Sequence, residues 1–165
     1  MPVSAAWHAA YIGVGSNLDQ PRARVLAACA ALAGLPDSRL LGVSRTYHSP
    51  PVGFLDQPPF VNAVAAVLTQ LPVTALHTAL VALERQLGKV APSVRFGPRH
   101  IDLDLLAYDE LRTDTATLSV PHPRLHERAF VLYPLAELAP ELWIPGRGRV
   151  AALRDAVDGT GVTPL

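Results

Sequence analysis

The chain holds a single cysteine, Cys29, so no intrachain disulfide and no cysteine-based zinc site can form. Cys29 sits among alanines in an apolar helical run, where a small buried hydrophobe is expected. Neither sign of charge is in excess. Fourteen Lys plus Arg balance fourteen Asp plus Glu, which removes the global field that would draw nucleic acid or an acidic lipid surface. Any charged ligand must then be recognised locally. No Lys or Arg precedes Arg22, so the charged start of a secretory signal is missing. Gln57 to Leu83 carries no formal charge, but Asn62, Thr69, Gln70, Pro72, Thr74, His77 and Thr78 interrupt it. No apolar run of about 18 residues is left to span a bilayer. A soluble cytoplasmic protein without membrane or nucleic-acid partners is expected. Two nucleotide-binding devices are lacking as well. Gly13-Val14-Gly15-Ser16-Asn17 begins like a dinucleotide fingerprint, yet Leu18 stands where the third glycine belongs, and no G-x-x-x-x-G-K-[ST] occurs. A tight strand-to-helix turn is the local expectation for Gly13 to Asn17.

What is present is a chain of 165 residues, half of them hydrophobic. That suits one domain, residues 1–165, with a substantial core. Trp7 to Gly13 reads as a first strand. Asp19 then offers a helix cap and Pro21 a preset first turn, with Val25, Cys29, Leu32 and the offset Leu26 on one helical stripe, closed by Gly34-Leu35-Pro36. Leu40 to Tyr47 alternates as a second strand, a proline-stiffened loop runs from Ser49 to Pro59, and Phe60 to Leu68 is a third strand. Pro72 opens a second helix carrying Leu76, Leu80, Leu83 and Leu87, with Gly88 as its stop. After a basic loop, Ile101 to Tyr108 is a fourth strand. The order β-α-β-β-α-β predicts an α+β protein of ferredoxin-like type, an antiparallel sheet with both helices on one face. A short hairpin, a helix near His126 to Leu132 and a C-terminal helix from Val150 are expected to follow. No repeat or interdomain linker is visible.

Chemistry concentrates in Arg95-Phe96-Gly97-Pro98-Arg99-His100-Ile101-Asp102-Leu103-Asp104-Leu105. In a strand, Asp102 and Asp104 share one face while Ile101, Leu103 and Leu105 take the other. Their α-carbons would stand about 6–7 Å apart. At an effective dielectric near 20 the two charges repel by about 2–3 kcal/mol, and Asp is a poor strand former. A divalent cation would offset both costs; magnesium accepts one or two carboxylates together with phosphate oxygens. The competing reading is a solvated strand face on which the repulsion is largely screened. Four cations, Arg85, Lys89, Arg95 and Arg99, lie between Glu84 and Asp102 with no carboxylate among them. Paired acids for a metal beside guanidinium forks for anions is the combination phosphoryl transfer uses.

A second basic knot gathers His122, Arg124, His126 and Arg128. Prolines on both sides fix the backbone of His122, which suits a phosphate-facing imidazole as well as a plain surface turn. Phe60, Asn62 and Phe130 could fill the core, or could clamp a flat heterocycle between aromatic rings beside an amide. His8, His48 and His77 take no role.

Four blocks in this order resemble the 6-hydroxymethyl-7,8-dihydropterin pyrophosphokinases of folate biosynthesis. They are Ala10 to Leu18, Asp56 to Asn62, Arg95 to Asp104, and Val120 through Phe130. The resemblance implies transfer of pyrophosphate from ATP to the pterin hydroxymethyl oxygen, releasing AMP. It implies that Asp102 and Asp104 hold two magnesium ions, and that Arg99, Lys89 and Arg95 join them in the catalytic group. ATP would be bound by Glu84, Lys89, Arg95, Phe96, Arg99, His122 and Arg128. The pterin would lie between Phe60 and Phe130, hydrogen-bonded by Asn62 and read by the backbone around Ser49, Pro51 and Val52. Ala91 with Pro92 after it, Phe96, Pro123 and Val81 depart from the family's usual pattern and imply weaker nucleotide affinity without loss of function. A monomer is expected. Without the resemblance, the residues leave open a ferredoxin-like nucleic-acid or nucleotide binding module without catalysis, and a metal-dependent phosphohydrolase or ordinary kinase using the same aspartates.

Overall fold

In the computed structural model, which describes residues 4–91 and 94–165, alternating burial fixes how each strand lies. Strand β1, His8–Ser16, sends Ala10, Ile12 and Val14 into one core. Helix α1, Pro21–Ala31, covers that side with Val25, Ala28 and Cys29. Strands β2, Ser38–Val43, and β3, Tyr47–Ser49, both pair with the long β4, Phe60–Thr69. Helix α2, Val73–Gln86, buries Leu76 and Leu80 against the same core, and β5, Asp102–Tyr108, adds Leu103 and Leu105. A hairpin follows, β6 Thr113–Asp114 with β7 Ser119–Val120. Helix α3, Ala129–Leu138, comes next, then the hairpin β8 Trp143–Ile144 and β9 Gly148–Arg149, helix α4 Val150–Ala156 and the short β10, Thr163–Pro164.

β1 runs antiparallel to β4 on one side and to β5 on the other, giving the sheet order β10-β3-β4-β1-β5 with β2 also on β4. This is the antiparallel sheet of an α+β fold. Its second face meets α3 through Val64, Leu106, Val131, Leu132 and Leu135, with Ile144 and Val150 completing that core. Tyr108 closes the far end, its hydroxyl donating to the Leu71 carbonyl at 2.7 Å. Among the described residues, no helix is long and apolar enough to cross a membrane.

Several expectations need correction. Gly13 to Ser16 is not a turn but the end of β1, with Gly13 opposite Val64 and Asp104, and Gly15 opposite Asn62 and Asp102. Asp19 does not cap α1. The residue before the helix is Gln20 in a left-handed conformation, and the Asp19 carboxylate instead meets His100 Nε2 at 2.7 Å. Leu26 is exposed, since α1 rests on a narrower stripe than its apolar positions allow. The strand predicted from Leu40 to Tyr47 is broken at Ser44, whose hydroxyl accepts the Val64 N–H at 2.9 Å and donates to the Arg45 carbonyl at 2.8 Å. A side chain that takes ladder bonds interrupts the pleat. The predicted helix near His126 begins later, at Ala129, after a 3-10 turn over Leu125–Glu127.

Candidate active site

The second face of the sheet is only partly roofed by α3. Beyond it, Gly13, Gly15, Asn62, Asp102 and Asp104 form the floor of an open cleft of about 830 Å³. Glycine is demanded by space at position 15: a β-carbon there would stand 2.7 Å from the Asn62 Oδ1. The low floor on β1 lets the neighbouring side chains of β4 and β5 face a common volume.

At one end, Phe60, Asn62, Ser49, Val52 and Phe130 line the cleft. Asn62 is buried and donates from Nδ2 to the Ser49 hydroxyl at 2.6 Å, which leaves its amide oxygen directed away from that bond. Two loops meet over this end. Gly53 takes a left-handed φ of 83° and packs on the Phe96 ring, and a β-carbon there would sit 2.9 Å from it. Phe96 has an unusual φ of 59° for a bulky residue. Gln57 holds it, donating from Nε2 to the Phe96 carbonyl at 2.7 Å and to the Phe54 carbonyl at 2.6 Å. Asn17 joins the same corner. Its Nδ2 donates to Gln57 Oε1 and to the Pro58 carbonyl, both at 2.9 Å, while its Oδ1 accepts the Arg99 N–H at 2.8 Å.

At the other end the acids meet the cations. Helix α2 closes with Gly88 at φ 91°, the Gly88 N–H on the Arg85 carbonyl and the Lys89 N–H on the Glu84 carbonyl, the double bond of a Schellman stop. That turn returns Lys89 to its own helix end. Its ammonium pairs with the buried Glu84 and reaches Asp102 Oδ1 at 2.8 Å, and Arg99 grips Asp102 Oδ2. Asp102 is therefore neutralised by two cations. Among the described residues Asp104 has no such ion pair, and burial, with the nearby Asp102 charge, pushes its carboxyl up to about 6. Burial also raises Glu84 against the pull of Lys89. Lys89 is itself raised, because its bonds to Asp102 and Glu84 outweigh its desolvation.

His122 and Arg128 stand nearby. The imidazole Nδ1 accepts the Arg124 N–H at 3.1 Å, which leaves Nε2 to carry the proton. Burial, then Arg128 and Arg124, lower His122 to about 4. Burial likewise draws Arg128 down, as do Arg124 and Arg99, against the pull of Asp104 and Asp102. The Arg128 guanidinium lies 5.5 Å from the Phe130 ring centre.

Of the expected residues, Ser49, Val52, Phe60, Asn62, Phe96, Arg99, Asp102, Asp104, Arg128 and Phe130 line one cleft. Pro51, Glu84, Lys89, Arg95 and His122 stand outside its wall. Arg95 stacks on the Phe96 ring at 4.8 Å, and Pro92 of the basic loop lies outside the described residues. Sequence reasoning passed over the glycine floor, the Asn17 and Gln57 ties, and Arg124, which lines the cleft mouth. Only the charge of Arg124 in the second basic knot and the Gln57 amide before Pro58 were visible as signals. The donor set suits magnesium: two carboxylates on one strand face, one of them without an ion pair, opening on a cationic cleft.

Residues 11–140 match the profile of the family described as 7,8-dihydro-6-hydroxymethylpterin-pyrophosphokinase (HPPK). A 2-amino-4-hydroxy-6-hydroxymethyldihydropteridine pyrophosphokinase of Pseudomonas aeruginosa is 45% identical over 155 residues, 94% of this chain and 95% of the relative. One from Methylorubrum extorquens is 42% identical over 83% of this chain and 86% of the relative. Among solved structures, a Plasmodium falciparum HPPK-DHPS with pterin and p-hydrobenzoate superposes with a TM-score of 0.70 at 12% identity. That match covers 93% of this chain, which spans less than half, 45%, of the Plasmodium chain, and it shows likeness of fold alone. The chain belongs to the 7,8-dihydro-6-hydroxymethylpterin-pyrophosphokinase family.

Proposed function

We propose that the protein transfers pyrophosphate from ATP to the hydroxymethyl oxygen of 6-hydroxymethyl-7,8-dihydropterin, giving the pterin diphosphate and AMP in tetrahydrofolate biosynthesis. The observation that carries this reading is the meeting, in one cleft, of the Asp102 and Asp104 carboxylates with an aromatic and amide end built from Phe60, Asn62 and Phe130. A flat heterocycle fits between the rings, and its polar edge fits the Asn62 amide. The hydroxymethyl group would then point along the floor toward the acids.

Asp102 and Asp104 would hold two magnesium ions, which when bound neutralise charge on the phosphate oxygens. For that, Asp102 must give up Lys89 and Arg99. Both cations are then free to turn to the triphosphate, so the ion-pair network around Asp102 becomes the grip on the substrate. Arg128 and the Nε2–H of His122 add donors, and Arg95 and Phe96 close from the loop. No side-chain nucleophile is required; positioning and electrostatics supply the rate. The loops tied by Gln57 and Asn17 keep water out, which favours transfer over hydrolysis.

We further infer a single domain over residues 1–165, a ferredoxin-like topology from the sheet order with both α1 and α2 on one face, and action as a cytoplasmic monomer. Incubation with ATP, magnesium and the pterin alcohol tests the central reading. AMP with a pyrophosphorylated pterin supports it, ADP indicates an ordinary kinase, and inorganic phosphate alone indicates a hydrolase.

A further inference from the structure

Arg124 stands at the mouth of the cleft, and its placement is at odds with a passive surface residue. Its guanidinium lies 5.1 Å from the Phe96 ring centre, on a ring that already carries Arg95 at 4.8 Å. Arg128 and Arg99 are close enough that Arg124 and Arg99 each depress Arg128. Arg99 is paired with Asp102, and Asp104 and Asp102 pull on Arg128. Among the described residues Arg124 has no such relief: it forms no ion pair, and Glu127, three residues on, faces His126 at 3.5 Å. A long cationic side chain on the surface would ordinarily swing away from its like-charged neighbours into water. Here the backbone holds it in place. The Arg124 N–H is fixed on His122 Nδ1 at 3.1 Å, its carbonyl accepts the Glu127 N–H at 3.1 Å, and the fully buried Leu125 anchors the turn.

We propose that Arg124 is a phosphate-gripping residue for the nucleotide, meeting the triphosphate at the cleft mouth beside Phe96. The inference rests on the nucleotide reading of the cleft given above. A polyanion is the ligand class that turns clustered guanidiniums from mutual repulsion into attraction, and a guanidinium fork can hold two phosphate oxygens at once. Stacking on Phe96 pre-orients the fork. Phe96 links Arg124 to Gly53 through its ring and to Gln57 through its carbonyl, so nucleotide held by Arg124 also steadies the loop over the pterin end.

Arg124→Met tests the charge alone, because methionine retains length and packs on an aromatic ring. Calorimetric titration of the full chain with magnesium and a non-hydrolysable ATP analogue should show affinity lowered about tenfold, with partial recovery in Arg124→Lys. The wild-type affinity should also fall more steeply with salt than that of the Met variant. Affinity for the pterin alcohol alone should stay within about twofold. Unchanged analogue binding in Arg124→Met, or an equal loss for pterin and nucleotide, would overturn the proposal. A wild-type chain that binds the analogue yet forms no AMP overturns the transfer reading and leaves Arg124 its role. AMP formation beside a Met variant as tight as wild type does the reverse.

Discussion

Gly15 lies opposite Asn62 across β1 and β4, and the Asn62 Oδ1 fills the space that a β-carbon on Gly15 would need, at 2.7 Å. One missing methyl group thus sets the position of the amide at the aromatic end of the cleft. Gly15→Ala should push Asn62 off its bond to Ser49, at a stability cost of about 1–3 kcal/mol for overpacking. The Michaelis constant for the pterin should rise about tenfold while that for ATP changes little. Steady-state kinetics with each substrate varied in turn, together with a melting curve, check this; equal changes for both substrates would assign Gly15 to the fold alone.

The two aspartates should part company when each is replaced. Either Asp102→Asn or Asp104→Asn should lower turnover by about 10²–10³-fold, the scale of losing a preorganised electrostatic group. In metal-free protein their effects on stability should have opposite signs. Asp102→Asn strands Lys89 and Arg99 around a neutral amide and should lower the melting temperature, whereas Asp104→Asn removes a half-buried charge that has no ion pair among the described residues and should raise it. Near-normal rates in either variant would show that the carboxylates do not hold the metal.

The raised carboxyl of Asp104 also sets a pH window. Its folded value is about 6 against 3.8 for an ordinary aspartate, so in metal-free protein its proton favours the fold below about pH 4, and that contribution is lost as pH rises through 6. Magnesium must displace the same proton. The magnesium-induced rise in melting temperature should therefore be large at pH 7.5 and small at pH 5, and Asp104→Asn should abolish the difference. A magnesium effect independent of pH would remove Asp104 from the binding group.

β5 could be read from sequence because its period of two is clean: Leu103 and Leu105 enter the core while Asp102 and Asp104 face the cleft. Gly13 to Ser16 misled because glycine marks turns and close approaches alike, and only the partner strand, with Asn62 on it, tells them apart. Ser44 hid the break between β2 and β3 for a similar reason, since a serine in an alternating run does not announce that its hydroxyl will take a ladder bond. Most residues that line the cleft could be named from sequence, but not their wiring. Nothing along the chain says that Lys89 would turn back to Glu84 and Asp102, because that contact depends on a helix stop and a strand arriving at the same place. Arg124 was one cation among several until Phe96 lay beneath it.

Phe130 faces the cleft from the first turn of α3 with Arg128 over its ring. Phe130→Ala should weaken pterin binding more than nucleotide binding, by about 10–100-fold for the loss of one stacking face. Titration of each ligand separately measures the ratio. Equal weakening would mean that the ring only packs against α3.

His122 should resist protonation because burial and two arginines hold it near 4, against 6.5 in an unfolded chain. A depressed folded value means that the unfolded chain takes up the proton first. Stability attributable to this group is complete above about pH 6.5 and declines as pH falls toward 4. His122→Asn keeps an acceptor where Nδ1 receives the Arg124 N–H, yet cannot titrate. Urea midpoints for wild type and variant at pH 7.5, 5.5 and 4.5 should therefore diverge in pH dependence, the variant losing less stability on acidification. Activity has a matching signature: if neutral His122 donates through Nε2–H, the wild-type rate should show no imidazole step near pH 6.5. Parallel stability curves, or such a step that vanishes in His122→Asn, would mean that the ring titrates freely.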